Sequence, residues 1–115
     1  MADAALTFTS APGKDPDVLI LKLAGPLTLG NMFGFQDEFR QMKPAFLIVD
    51  MSDVPYVDSA GLGVLVNGFV SAQGGHRRFA LAGVNPRIQA LMELTKVHTI
   101  IPIFTDVDQA YQFKP

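Results

Sequence analysis

Residues 46–75 read FLIVDMSDVPYVDSAGLGVLVNGFVSAQGG, and three signals follow one another along them. Phe46-Leu47-Ile48-Val49 is an unbroken apolar run rich in strand formers, the pattern of a strand covered by helices on both faces. Asp50 to Asp58 then carries Pro55 and the carboxylates Asp50, Asp53 and Asp58, which reads as a loop. From Ser59 the period changes. Leu62, Leu65, Val66 and Phe69 recur at helical spacing, and Gly74-Gly75 stops the helix. A doubly covered strand that hands over to a helix is the repeating unit of an α/β sheet.

The flanking sequence extends the same alternation. On the N-terminal side, Ala5 to Thr9 and Val18 to Leu23 read as strands around the turn-rich Ala11 to Pro16. Met32, Phe35, Phe39 and Met42 follow at helical spacing, with Asn31 as the expected N-cap and Pro44 as the stop. On the C-terminal side Phe79 to Ala82 is a strand. Asn85-Pro86 is an N-cap with proline at the first helical position, and Ile88, Leu91, Met92 and Thr95 form that helix's inner face. Ile100 to Phe104 reads as the last strand, and Thr105-Asp106-Val107-Asp108 resembles a capping box for a short final helix. The order β-β-α-β-α-β-α-β-α predicts one α/β domain over residues 1–115. Its sheet should be mostly parallel, of four or five strands with about four helices, the first strand antiparallel.

Bulk composition narrows the function. With 49% hydrophobic and 17% charged residues the chain should fold around a real core. It has no cysteine, which removes disulfides, thiol nucleophiles and Cys-based metal sites. The nine basic residues are scattered against a net charge of -2, so the basic stripe of a nucleic-acid binder is missing. The start, Met1-Ala-Asp-Ala-Ala-Leu-Thr, lacks the charged and apolar regions of a signal peptide. The apolar part of Ser59–Gly75 is too short and too interrupted to span a bilayer. A cytoplasmic protein without direct membrane insertion is expected.

Function in open α/β sheets collects where strands end and helices begin, and Val49 to Ser59 occupies such a place. If the helix starts near Ala60, Asp58 or Ser59 is its N-cap. The free amides beside the Ser59 hydroxyl would favour a phosphate there. Plain capping accounts for Asp58-Ser59 equally well, and a cap can also be a phosphoacceptor. A second feature is the absence of any charged residue from Ser59 to Gly75. The side chains opposite Leu62 and Phe69 are small or weakly polar, which suits a docking surface for another protein unless the N-terminal segment or a second copy covers it. Gly61 and Gly63 should leave the backbone open to a partner.

Enzymatic constellations are weak. Ser59, His76 and His98 could in principle serve a triad, but no Gly-x-Ser-x-Gly elbow exists and both histidines fall at turn-like or helix-end positions. A cation on Asp50, Asp53 and Asp58 would suggest a phosphoaspartate receiver. The acidic pair after the first strand and the lysine after the last strand that such a domain needs are missing. No catalytic residue, metal or cofactor is expected.

Val57-Asp58-Ser59-Ala60-Gly61-Leu62-Gly63-Val64-Leu65 resembles the signature of the STAS domain, the anti-sigma factor antagonist family. Leu23 to Leu27, Phe46 to Asp50, Phe79 to Pro86 and Leu91 to Leu94 fall in the family's order around it. The resemblance implies a partner-switching component, a monomer or weak dimer, whose partner is an anti-sigma factor that is also a serine kinase. It implies Ser59 as the phosphoacceptor, with Asp50, Asp53, Asp58 and Thr28 around it. Ala60, Gly61, Gly63, Val64, Asn67, Gly68 and Ser71 would then form the partner surface. The chain departs from the antagonist pattern Gly-Glu-Leu-Asp, having Gly25-Pro26-Leu27-Thr28, and has Ala60 where a second hydroxyl often follows. Related domains without phosphoregulation serve as constitutive scaffolds in transporters, lipid-trafficking complexes and sensory assemblies.

Overall fold

A computed structural model describes residues 5–113 of the chain. The expectation of one domain over 1–115 and the reading of the extreme N-terminus extend to residues 1–4 and 114–115, outside those described. Five strands form one sheet in sequence order: β1 (Thr7–Pro12), β2 (Val18–Ala24), β3 (Phe46–Asp53), β4 (Arg78–Ala82) and β5 (Ile103–Phe104). The first pair is antiparallel and the rest are parallel. Three crossover helices, α1 (Phe33–Gln41), α2 (Ser59–Gly74) and α3 (Pro86–Leu94), link the parallel strands, and α4 (Val107–Tyr111) follows β5.

Sequential strand order has a geometric consequence. Right-handed crossovers that all step the same way put every crossover helix on one face of the sheet. Strand alternation then divides the side chains. Leu47, Val49 and Met51 of β3 join Phe35, Phe39, Leu65, Ile88 and Met92 in the larger core. Phe46 and Ile48 turn the other way, to meet Val18, Ala80, Ala82 and Ala110 of α4. This is why Phe46 to Val49 is apolar at every position: both faces are covered. Phe35 and Phe39 stack at 5.0 Å, and Phe39 meets Phe79 edge-on at 6.0 Å, so α1 is fastened to the sheet by aromatic rings.

The element order agrees with the sequence reading, while several boundaries move. The first strand runs on to Pro12 through the expected turn, paired with β2 as far as Leu19. β3 continues through Asp53, so the loop shrinks to residues 54–58. Asn31 does not cap α1. Its Oδ1 accepts from the Thr28 amide at 2.9 Å and its Nδ2 donates to the Pro26 carbonyl, so it closes the preceding loop instead. Thr95 is exposed and follows α3, its hydroxyl donating to the Leu91 carbonyl. Ile100 ends a 3₁₀ turn, Val97–Thr99, rather than starting a strand, because β5 pairs with β4 only at Leu81 and Ala82. Asp106, not Thr105, caps α4. Among the described residues no helix is long and apolar enough to cross a membrane.

Gly61 is fixed by packing. A β-carbon there would overlap the Leu27 carbonyl oxygen, whereas one at Gly63 meets nothing within 4 Å. The two substitutions should therefore part. Gly63→Ala should stabilise by up to about 1 kcal/mol through helix propensity alone. Gly61→Ala should destabilise by roughly 1–3 kcal/mol despite the same propensity gain, as over-packing does. Urea denaturation of both variants checks this, and equal midpoints would contradict the packing account.

Candidate functional site

The site is assembled where the loop after β2 meets the start of α2. Leu27 and Val57 form an isolated parallel bridge, with the Leu27 amide donating to the Tyr56 carbonyl and the Asp58 amide to the Leu27 carbonyl, both at 3.2 Å. The glycine at position 61 lets this backbone lie directly on the first turn of α2. Asp58 then serves both sides. Its Oδ1 accepts from the Gly61 amide at 2.8 Å, capping the helix, and its Oδ2 accepts from the Leu29 amide at 3.0 Å. Of the two N-cap candidates, Asp58 takes the role. Asn85, capping α3 through the Ile88 amide, also donates to the carbonyls of Val54 and Pro55 and so holds the other end of the same loop.

The backbone amides of Gly61, first, and of Leu29, second, stabilise the ionised form of Asp58 and hold its carboxyl below the usual carboxylate range. Ser59 comes next as the first residue of α2, and its side chain is exposed. The amides of Ser59 and Ala60 stand in the first turn, where a helix offers no carbonyl acceptor of its own. The result is an exposed hydroxyl beside a fixed carboxylate at the positive end of a 16-residue helix that carries no charged side chain.

Not every residue expected around Ser59 is there. Asp50 alternates with Phe46 and Ile48 and therefore points to the α4 face of the sheet. It lines a cavity there with Asp106 and Asp108. Asp53 pairs with Lys22 at 3.2 Å. Asp53 has the parity of Leu47, Val49 and Met51, but the β2–β3 pairing shifts register between Lys22 and Ala24, and the ion pair draws its carboxylate toward Lys22, which shares a face with Val18. Strand parity takes Asp50 away from Asp58, and the register shift with the Lys22 pair takes Asp53 away, so the three do not form one acidic cluster. Thr28 does lie in the clamped loop, but it is buried, and its Oγ1 has no hydrogen-bond partner among the described residues.

The expected partner face also rotates. Gly61 and Val64 are buried, the first under Leu27 and the second in the main core, so neither is available to a partner. Gly68 is half-buried against the Phe39 ring. Ser59, Asn67 and Ser71 are exposed, and Ala60 and Gly63 are partly so. The cause is α1, which packs beside α2 and widens its buried face beyond what a single-sided helix would show. Three exposed apolar residues went unread in the sequence: Leu29 (55% exposed), Phe33 (63%) and Val70 (58%). Phe33 falls outside the helical period of Met32, Phe35 and Phe39, a signal that could have marked it as outward-facing, whereas Leu29, three residues before Met32 and in the loop ahead of α1, carries no such signal. His76 lies in an exposed left-handed turn, and His98 Nδ1 contacts the Met92 carbonyl.

Comparison with known proteins agrees with this architecture. The STAS domain model matches residues 11–110, and the chain belongs to that family. Within it, the chain is similar to the anti-sigma factor antagonists. A candidate antagonist of Thermotoga neapolitana is 32% identical over 102 residues, covering 84% of this chain and 88% of its own. The anti-sigma-B factor antagonist of Listeria monocytogenes is 36% identical over 67 residues, covering 57% of this chain and 59% of its own. The crystal structure of an antagonist from Mycobacterium paratuberculosis superposes with a TM-score of 0.83 at 18% identity, covering 93% and 92% of the two chains.

Three substitutions test the clamp. Asp58→Ala should cost about 1–2 kcal/mol from the cap, plus a contribution from the lost Leu29 bond. Because the folded-state pKa is lowered, that contribution is complete above the unfolded value near 3.9 and fades as pH falls through the folded value. The stability gap between wild type and Asp58→Asn should accordingly be flat near neutrality and narrow below about pH 4. Thr28→Val, which removes a buried hydroxyl without a partner, should raise the melting temperature or leave it unchanged. A marked loss of stability would show that the hydroxyl is bonded in solution.

Proposed function

We propose that this chain is a non-catalytic binding module that changes protein partner according to whether Ser59 carries a phosphate. The observation that carries this reading is the position of Ser59, exposed and first in an uncharged helix, next to the carboxylate that fixes the helix start. A phosphate there adds about -1.5 to -2 charges. The helix N-terminus offsets this by roughly 0.3–1 kcal/mol, so the fold tolerates the modification. A partner lying on the same helix would bury that charge beside Asp58, and like charges juxtaposed in an interface cost several kcal/mol. The fold survives the phosphate and the complex does not.

The partner surface of this reading runs along the exposed stripe of α2, through Ser59, Gly63, Asn67 and Ser71. Ala60 and Gly68 lie at its margin, and the outward apolar side chains of Leu29, Phe33 and Val70 add to it. The partner is an anti-sigma factor with serine kinase activity, and the setting is transcriptional control in the cytoplasm. The resemblance to named antagonists supports this choice. A second reading, a constitutive scaffold in a transporter, lipid-trafficking or sensory complex, is favoured by one observation: residues 25–32 bring no carboxylate to the helix start.

Incubation with a serine-kinase anti-sigma factor from the same genome and ATP, followed by mass spectrometry, should place a phosphate on Ser59. Ser59→Asp should weaken the complex about tenfold or more while Ser59→Ala binds as wild type. An unmodified Ser59, or binding by Ser59→Asp equal to wild type, would sink the switch. Wild-type binding by both variants would leave the scaffold reading standing.

A further inference from the structure

A cavity of about 300 Å³ lies between the C-terminal halves of α1 and α2, over the first residues of β3 and β4. Its origin is local. Gly68, Ser71 and Ala72 put small side chains on the part of α2 that faces the end of α1, and the chain leaves α1 at Met42 without filling the gap. The floor is apolar, made by Phe39, Leu47, Val64 and Phe79, all buried.

The rim has the opposite character. Arg40, Lys43 and Arg77 border the opening, and no Asp or Glu is among the lining residues. Arg40 and Lys43 are exposed, and neither takes part in the ion pairs found among the described residues, Lys14–Asp108 and Lys22–Asp53. Arg77 spans the gap, donating to the Ser71 carbonyl at 3.0 Å and to the Met42 carbonyl at 3.4 Å. Arg78 also borders the cavity, but its guanidinium is spent on the Phe113 carbonyl and lies 4.4 Å from the Phe46 ring centroid.

Capping of helix C-termini does not account for these cations. With Arg77 engaged by carbonyls, Arg40 and Lys43 remain as two uncommitted positive charges, against roughly -0.5 from the end of α1. That excess stands on a chain whose net charge is -2. A cavity with an apolar floor, polar walls from Gln36, Asn67 and Ser71, and a cationic mouth without a lining carboxylate fits a ligand with an apolar body and one anionic head. The volume is at the small end of ligand sites, about 300–1,000 Å³, which suits a medium-chain acid and is too small for a diacyl lipid. The site is separate from Ser59. Twelve residues of helix between Ser59 and Ser71 correspond to about 18 Å.

We infer that the α1–α2 cavity binds a small amphipathic anion of the medium-chain carboxylate class, its tail on Phe39 and Phe79 and its head between Arg40, Lys43 and Arg77. The test is calorimetric titration of the full chain with decanoate, paired with ¹H–¹⁵N NMR. Saturable binding with shifts confined to residues 36–47 and 64–79 is expected. Arg40→Gln combined with Lys43→Gln, both exposed positions, should weaken binding about tenfold or more, as loss of a charge-assisted hydrogen bond does. Ser71→Phe, filling the chamber from its exposed rim, should abolish binding, and retention of the NMR fold pattern separates this from unfolding. Absence of decanoate binding would overturn the proposal. Equal affinity for decanol, or for inorganic phosphate, would overturn it as well, since the first needs no cationic mouth and the second no apolar floor.

Discussion

The carboxylate of Asp58 accepts one hydrogen bond from the helix it starts and one from Leu29, 29 residues earlier in the chain. Those two bonds fix the first turn of α2 against the loop that leaves β2, and the close approach of Gly61 to Leu27 makes them geometrically possible. Without a side chain at position 61, the Leu27 backbone can pair with Tyr56 and Asp58 as a further rung of parallel bridging beyond the sheet. The exposure of Ser59 follows from this arrangement. The capping carboxylate is turned inward toward two amides, and the next residue is left facing solvent at the positive end of the helix.

The sheet sets the direction of everything else. Because the strands run in sequence order, all three crossover helices share one face, and among the described elements α4, after β5, covers the other. The larger core and α2 are thereby on the same side, strand parity sends Asp50 to the opposite one, and Asp53 is engaged by Lys22. A phosphate on Ser59 would meet one neighbouring carboxylate, Asp58, rather than a cluster. In the proposed switch, rejection of a partner would come from burying the new charge beside the Asp58 carboxylate.

The packing of α1 against α2 has two consequences at the two ends of the helix pair. At the start of α2 the loop before α1 is tied by the Leu29–Asp58 hydrogen bond, and farther along the Phe39 ring of α1 lies on Gly68. Between the small residues that follow Gly68 and the end of α1 the two helices part, and the gap is framed by arginine and lysine instead of being filled. One helix thus carries the proposed partner surface on its outside and a cavity beneath its far end.

By itself the sequence determined the class of fold, because periodicity is a local property. Phe46 to Val49 had to be a strand covered twice, Leu62 to Phe69 a helix, and Asn85-Pro86 a helix start, each from residues within one or two turns of one another. The family signature at Val57–Leu65 was legible for the same reason, and with it Ser59 and its capping neighbour. The tertiary structure decided what depends on distant pairing. Asn31 was drawn into a loop by Pro26 and Thr28, and Val64 and Gly61 were covered by α1 and Leu27. Strand parity sent Asp50 away from the site, a register shift and Lys22 drew Asp53 off it, and Leu29 was turned outward beside it. A helix read alone shows one apolar stripe, but burial is set by every neighbour that touches it, and those neighbours lie tens of residues away along the chain.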